Sequence, residues 1–174
     1  MARMHDRTKA RRCAAQVLYT SSIRNIDVNT LINESLLDCL ETPLSDYALS
    51  LLRGISDHKE ELDAMIGSSS ENWAIDRMPL MDLNILRIAL FEMNHVEDVP
   101  VSVSINEAVE LAKDFGGDDN SPKFINGMLG NIARQMEGSE GDALVVADEL
   151  DAPCADDAGV DATTEGAKTA EALS

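Results

Sequence analysis

The chain contains the stretch Leu80-Met-Asp-Leu-Asn-Ile-Leu-Arg-Ile-Ala-Leu-Phe-Glu-Met93, which is apolar on nearly every side of a helical wheel. A helix that is hydrophobic all round belongs in the interior of a protein, whereas a surface helix shows a single apolar stripe. The sequence therefore predicts a central, buried helix at this point, with the remaining segments packed around it.

Upstream of this stretch, apolar residues recur at i, i+3, i+4 and i+7, the spacing of one helix face. The pattern predicts three helices, which have these bounds: a first helix capped by Asp6, a short second helix over Thr30–Leu40, and a long third helix capped by Ser45 and ended by Gly67.

Downstream, two further helices are indicated by their start signals. Ser104 and Glu107 have the spacing of a capping box, which opens a helix that continues to Phe115. Ser121-Pro122 supplies an N-cap and a first-turn proline for a last helix that ends at Gln135.

The fold class predicted from these elements is all-α, with two packed three-helix bundles over about 6–67 and 72–136 within one domain, 1–136. No alternating strand pattern exceeds Val101-Ser-Val-Ser104. Residues 137–174 contain 11 acids and one base, without Phe, Tyr, Trp, Ile or Met. Because so few apolar groups cannot offset chain entropy, this segment is predicted to be a disordered acidic tail.

Charge is unevenly distributed along the chain. The formal net charge is −18, which by itself argues against a nucleic-acid partner. Residues 1–24 nevertheless carry six bases and one acid, so a basic end is joined to an acidic body. Lys and Arg neutralise phosphates, so this end is the candidate for binding a nucleic acid, with a merely solvated first turn as the alternative.

Several function classes are disfavoured by missing patterns. The chain has neither a phosphate-binding G-x-x-x-x-G-K-[ST] motif nor a G-x-G-x-x-G motif. Its three histidines, His5, His58 and His95, are far apart without metal-ligand spacing, and its three cysteines do not form a C-x-x-C pair. We expect no enzyme, metal or cofactor, and the absence of a signal peptide or membrane span favours a cytoplasmic protein.

Three stretches of the chain carry a combined pattern. They are Arg7-Thr-Lys-Ala-Arg-Arg-Cys-Ala-Ala-Gln-Val-Leu-Tyr19, then Trp73-Ala-Ile-Asp-Arg-Met-Pro-Leu-Met-Asp-Leu-Asn-Ile-Leu-Arg-Ile-Ala-Leu-Phe-Glu92, and Val99-Pro-Val-Ser-Val-Ser-Ile-Asn-Glu-Ala-Val-Glu-Leu-Ala-Lys-Asp-Phe-Gly116 with Lys123-Phe-Ile-Asn-Gly-Met-Leu129. Together they cover nearly all of residues 7–136, and they resemble the NusB family of transcription antitermination factors in the family's order and spacing.

The resemblance implies an antitermination factor that binds the boxA element of nascent ribosomal RNA as a single strand. It also implies a heterodimer with NusE, a small-subunit ribosomal protein, and indirect contact with RNA polymerase and other Nus factors. Two alternatives stay open: a helical protein–protein adaptor without RNA binding, and an RNA-binding domain associated with rRNA methylation. The choice between monomer and homodimer is also left open.

The candidate RNA contacts are basic residues of the first helix and its leading arm, an aromatic residue suited to stacking, and the 116–124 region that the resemblance adds. They are Arg3, Arg7, Lys9, Arg11, Tyr19, Asn120 and Phe124. Arg7 and Arg11 are one helical turn apart, whereas Lys9 and Arg12 are expected to point elsewhere.

The candidate contacts with a protein partner are the polar residues of the otherwise apolar central helix. Asp82, Asn84 and Arg87 cannot be buried unpaired without a large energetic cost. They therefore either pair inside the protein or emerge on a surface that meets a partner.

Overall fold

The computed structural model describes residues 2–34, 43–69 and 75–138, with side chains from Asp6 onward. Its described residues form seven α-helices and one short 3-10 turn at Ile75–Arg77. The helices are α1 (Ala2–Arg24), α2 (Val28–Asn33), α3 (Asp46–Asp57), α4 (Lys59–Ser69), α5 (Leu80–His95), α6 (Val101–Phe115) and α7 (Ser121–Gly138).

Helix α5 is the centre of the fold, which confirms the prediction made from its apolar sequence. Every residue from Asp82 to Glu92 is buried, including the polar ones. The helix packs against α1, α3, α4, α6 and α7. The all-α class with two packed bundles is confirmed, and the bundles meet through α5 and through the contacts of α1 with α6 and of α4 with α7.

The close packing of α3 on α5 depends on Gly54. A Cβ atom at this position would lie 2.0 Å from Cζ of Phe91, far inside van der Waals contact. The ring of Phe91 therefore occupies the space that any larger residue of α3 would need.

Several helix boundaries upstream of α5 differ from those predicted from sequence. Helix α1 begins at Ala2 rather than at an Asp6 cap, and no glycine or proline in residues 2–5 interrupts it. The predicted long third helix is broken at His58, whose backbone N–H and ring Nδ1 both approach the carbonyl of Gly54. Ser45 caps α3 as predicted, accepting from the N–H of Ala48 at 3.2 Å.

Helix α4 continues through Gly67 to Ser69, beyond the predicted end. The buried Ser69 hydroxyl donates to Oε1 of Gln135 in α7 at 2.9 Å, so a tertiary contact holds the last turn.

The capping-box prediction for α6 is also wrong. The helix begins one turn earlier, after Pro100, whose φ of −60° suits a helix start and whose carbonyl accepts from the N–H of Ser104 at 3.1 Å. Ser104 is instead buried on the first turn, and within the described part of the chain its Oγ has no hydrogen-bond partner. Helix α7 begins at Ser121 but extends past Gln135 to Gly138.

Two predictions lie wholly or partly outside the described residues. The second helix begins at Val28 after the cap Asp27, two residues before the predicted start, and it ends at Asn33 with Glu34 as its C-cap. The rest of its predicted range falls on residues 35–42, which are not described, and the acidic tail from 139 onward is not described either. Among the helices that are described, none is both long and apolar enough to cross a membrane.

Candidate nucleic-acid interface

Arg11 of α1 lies in the interior. It is 2 % exposed, its Nε donates to both carboxylate oxygens of Glu92 at 2.8 and 2.9 Å, and its NH1 donates to Glu107 at 3.1 Å. A buried charge is tolerated only when it is paired and hydrogen-bonded, and this one is. Arg11 was a candidate RNA contact, but its burial and its partners make it a structural residue.

Tyr47 of α3 joins the same buried network. Its hydroxyl donates to Oε1 of Glu92, and burial together with this hydrogen bond raises the pKa of Tyr47 well above its ordinary value. Because Glu92 belongs to α5 and Glu107 to α6, the network ties α1 to three other helices. The first half of α1 is therefore joined to the core by buried side-chain hydrogen bonds.

Arg7 lies at the edge of this network and is partly exposed. Its NH2 donates to Oδ2 of Asp98 at 2.5 Å, and its guanidinium lies 4.7 Å from the centre of the Tyr47 ring. The hydrogen bond between the two groups raises the pKa of Arg7 and lowers the pKa of the exposed Asp98. Arg7 therefore reaches the surface already paired with a carboxylate.

The exposed side of α1 carries a second set of groups suited to RNA. Lys9, Arg12 and Tyr19 are exposed and follow one another at helical spacing, with the half-buried Gln16 between the last two. We call Lys9, Arg12 and Tyr19 the basic–aromatic face. Sequence reasoning did not select Arg12, although the spacing 9, 12, 16, 19 would have placed it beside Lys9 and Tyr19.

Arg12 connects this face to the second bundle. Its NH2 donates to Oδ2 of Asp114 near the end of α6, and both side chains are more than a third exposed. The α6–α7 loop, residues 116–120, follows directly after this helix end. Arg12 therefore links the basic–aromatic face to the helix that leads into the loop.

Asp82 of the central helix holds that loop in place. Its carboxylate accepts from the N–H of Gly117 at 3.2 Å and from the hydroxyl of Ser121 at 2.9 Å. The turn at Gly116 has no room for a side chain, since a Cβ there would lie 2.3 Å from the carbonyl oxygen of Ala112.

The structure places the other RNA candidates as follows. Asn120 is exposed in the loop, while Phe124 is half-buried against the core. Arg3 belongs to α1 rather than to a flexible arm before it, and its side chain is outside the described residues.

The three predicted partner contacts have internal partners instead. The carboxylate of Asp82 accepts hydrogen bonds from Gly117 and Ser121 of the α6–α7 loop region. Arg87 makes a two-pronged contact with Asp63 of α4, at 2.7 and 2.9 Å, and also donates to Asn84 at 3.0 Å. All three are buried, so they do not form an exposed surface for a protein partner.

Comparison with known proteins identifies the family. The NusB family model matches residues 8–134. The transcription antitermination protein NusB of Bacillus subtilis is 42% identical over 133 residues, which cover 76% of this chain and 98% of that protein.

Two solved structures show the same fold. T. maritima NusB is 31% identical with a TM-score of 0.66, and the alignment covers 77% of this chain and 96% of that one. A chain from the structure of antitermination factors NusB and NusE in complex with dsRNA is 27% identical with a TM-score of 0.65, covering 76% and 98%. By sequence and by fold, the chain belongs to the NusB family of transcription antitermination proteins.

Proposed function

We propose that this protein is an antitermination factor that binds the boxA element of nascent ribosomal RNA together with NusE, and so promotes transcription of rRNA operons. The observation that carries the proposal is the basic–aromatic face of α1, an exposed row of two bases and one aromatic ring in an otherwise acidic molecule. The NusB chain solved with NusE and double-stranded RNA supports the choice of partners.

The chemistry of the face suits single-stranded RNA. Lys9 and Arg12 can neutralise phosphates, which gives affinity without sequence preference. Tyr19, 40% exposed, presents a ring on which an unpaired base can stack. Arg12 and Arg7 must exchange a carboxylate for a phosphate, which costs little because exposed ion pairs contribute little to stability.

Acidic residues next to the bases of α1 limit the RNA affinity of the protein alone. Asp98 and Asp114 partly neutralise the bases next to them, and the formal net charge of −18 repels RNA. The same acidic body attracts a basic ribosomal protein, since complementary charge speeds encounter. We therefore expect weak RNA binding by the protein alone and stronger binding with NusE.

The test is a titration of the full-length protein with a boxA single strand, a scrambled strand and a boxA duplex, each with and without NusE. The proposal requires a preference for the boxA strand over the scrambled strand that increases when NusE is added. A preference for the boxA duplex over the boxA single strand would contradict the proposal that the protein binds boxA as a single strand.

The partial neutralisation of the basic segment favours one second candidate, a protein–protein adaptor. In that case NusE is captured but no RNA binds under any condition. The family membership would then describe the fold alone.

A further inference from the structure

The fold brings together two histidines that the sequence keeps far apart. His58 lies between α3 and α4, Glu61 lies in the first turn of α4, and His95 is the last residue of α5. One ligand atom from each of the three residues lies within 4.8 Å of the others. The spacing of histidines along the sequence gave no indication of this cluster, because it is created by packing α5 against the α3–α4 junction.

Each imidazole ring has contacts that favour one orientation. Nδ1 of His58 lies 2.9 Å from the carbonyl oxygen of Gly54. Because a carbonyl only accepts, this nitrogen carries the hydrogen, and in the neutral ring Nε2 is left with a free lone pair. A hydrogen bond from the far ring nitrogen to a backbone carbonyl is the arrangement that orients metal-binding histidines.

The His95 ring is positioned by aromatic contacts. It stacks on Phe91 with ring centres 5.0 Å apart, and its centre is 4.2 Å from that of His58. Its Nε2 lies 4.0 Å from Oε1 of Glu61. In tetrahedral zinc sites the ligand atoms are roughly 3.3 Å apart, so binding an ion requires these side chains to rotate toward one another.

We propose that His58, Glu61 and His95 form a binding site for a zinc-class divalent cation. Two imidazoles and one carboxylate suit Zn²⁺, Co²⁺ or Ni²⁺, whereas Mg²⁺ and Ca²⁺ require oxygen ligands. Three protein ligands leave a fourth position for water. The ion joins the α3–α4 junction to the end of α5, and because it binds the folded state it stabilises the fold by mass action.

The test uses full-length protein freed of metal with a chelator, then titrated with Zn²⁺ by calorimetry and followed by thermal unfolding. We expect one equivalent to bind and to raise the unfolding temperature, with no such effect from Mg²⁺. His95→Gln and Glu61→Gln each weaken Zn²⁺ binding by about tenfold or more. Glu60 is an exposed neighbouring acid outside the cluster, and Glu60→Gln leaves Zn²⁺ binding unchanged.

Two results overturn the proposal. One is the absence of Zn²⁺ binding by the wild-type protein. The other is binding that persists at full strength in both His95→Gln and Glu61→Gln, which would place the ion elsewhere and leave the cluster as an ion pair only. Circular dichroism of the two variants establishes that they are folded, and Co²⁺ absorption reports directly whether the wild-type site is tetrahedral.

Discussion

Arg11 and Arg12 are neighbours in sequence with opposite environments. Arg11 is 2% exposed and held by Glu92 and Glu107, whereas the side chain of Arg12 is 46% exposed and paired with Asp114. The difference follows from the helical rotation of 100° per residue, which turns one toward α5 and the other toward solvent. Within one turn, one arginine is therefore a buried structural residue and the other lies at the surface.

This contrast predicts very different effects on stability. Arg11→Met leaves the Glu92 carboxylate buried without its cation, and should lower the free energy of unfolding by about 3–5 kcal/mol. Arg12→Met breaks only an exposed pair and should cost about 0–1 kcal/mol. Urea unfolding of both variants measures the two losses of unfolding free energy. Similar losses in Arg11→Met and Arg12→Met would contradict the structural role assigned to Arg11.

Tyr47 predicts a specific dependence of stability on alkaline pH. Burial and the hydrogen bond to Glu92 raise the pKa of Tyr47 in the folded state, while the same tyrosine in the unfolded chain ionises near pH 10. Its contribution is therefore fully present below about pH 10 and declines as the pH rises above that value. Urea unfolding between about pH 8 and pH 11 should show a stability gap between wild type and Tyr47→Phe that narrows with pH. A constant gap would show that the tyrosine does not titrate differently in the two states.

We expect the ring of Tyr19 to contribute to RNA affinity by stacking on a base. Tyr19→Ala should lose about 1–3 kcal/mol of binding free energy, whereas Tyr19→Phe keeps the ring and should retain most of it. Fluorescence titration with the boxA strand and NusE measures both variants. Equal losses in the two would assign the effect to the hydroxyl rather than to stacking.

At the scale of residues, the sequence indicated which types of group are present but not which of them are exposed. The basic cluster could be found by counting charges. That Arg11 faces Glu92, 81 positions away, could not be found, because nothing in the local sequence encodes the partner. The same holds for Arg87 with Asp63 and for His58 with His95.

Among the elements, two glycines in helices predict opposite effects. At Gly54 of α3 a Cβ would meet the ring of Phe91 at 2.0 Å, so Gly54→Ala should destabilise the protein by about 1–3 kcal/mol through overpacking. At Gly127 of α7 a Cβ would find nothing within 4 Å, so Gly127→Ala should stabilise by about 0.5–1 kcal/mol through helix propensity.

Thermal unfolding of both variants measures the two signs. Gly54→Ala/Phe91→Leu tests the cause, since a smaller side chain opposite the new methyl group should recover part of the loss. A stabilising Gly54→Ala substitution would contradict the close packing of α3 on α5.

Helix existence was predictable from sequence, whereas several helix ends were not. The long apolar run of α5 identifies a buried helix by its composition alone. The break at His58 and the extension of α4 past Gly67 depend on contacts with Gly54 and Gln135. The start of α6 is set by Pro100, a stronger start signal than the Ser104–Glu107 spacing that lies one turn later.

At the scale of the whole molecule, the part of the chain that the structure describes combines an acidic body with an exposed basic row on α1. This uneven distribution could be read from the sequence as a basic first segment, but the orientation of the row required the packing of α1. Phosphate contacts through this row should give RNA affinity that falls with salt concentration. The central claim is therefore that the basic–aromatic face carries the phosphate contacts.

The most direct measurement is the salt dependence of boxA binding in the presence of NusE, comparing Lys9→Ala/Arg12→Ala with Arg53→Ala/Lys59→Ala. Both double variants remove two positive charges from exposed positions, but only the first removes them from the basic–aromatic face. We predict weaker binding and a slope of log affinity against log salt shallower by roughly 1.4 for the first, at about 0.7 per lost phosphate contact, and no change of slope for the second. Equal slopes in both variants would contradict the claim.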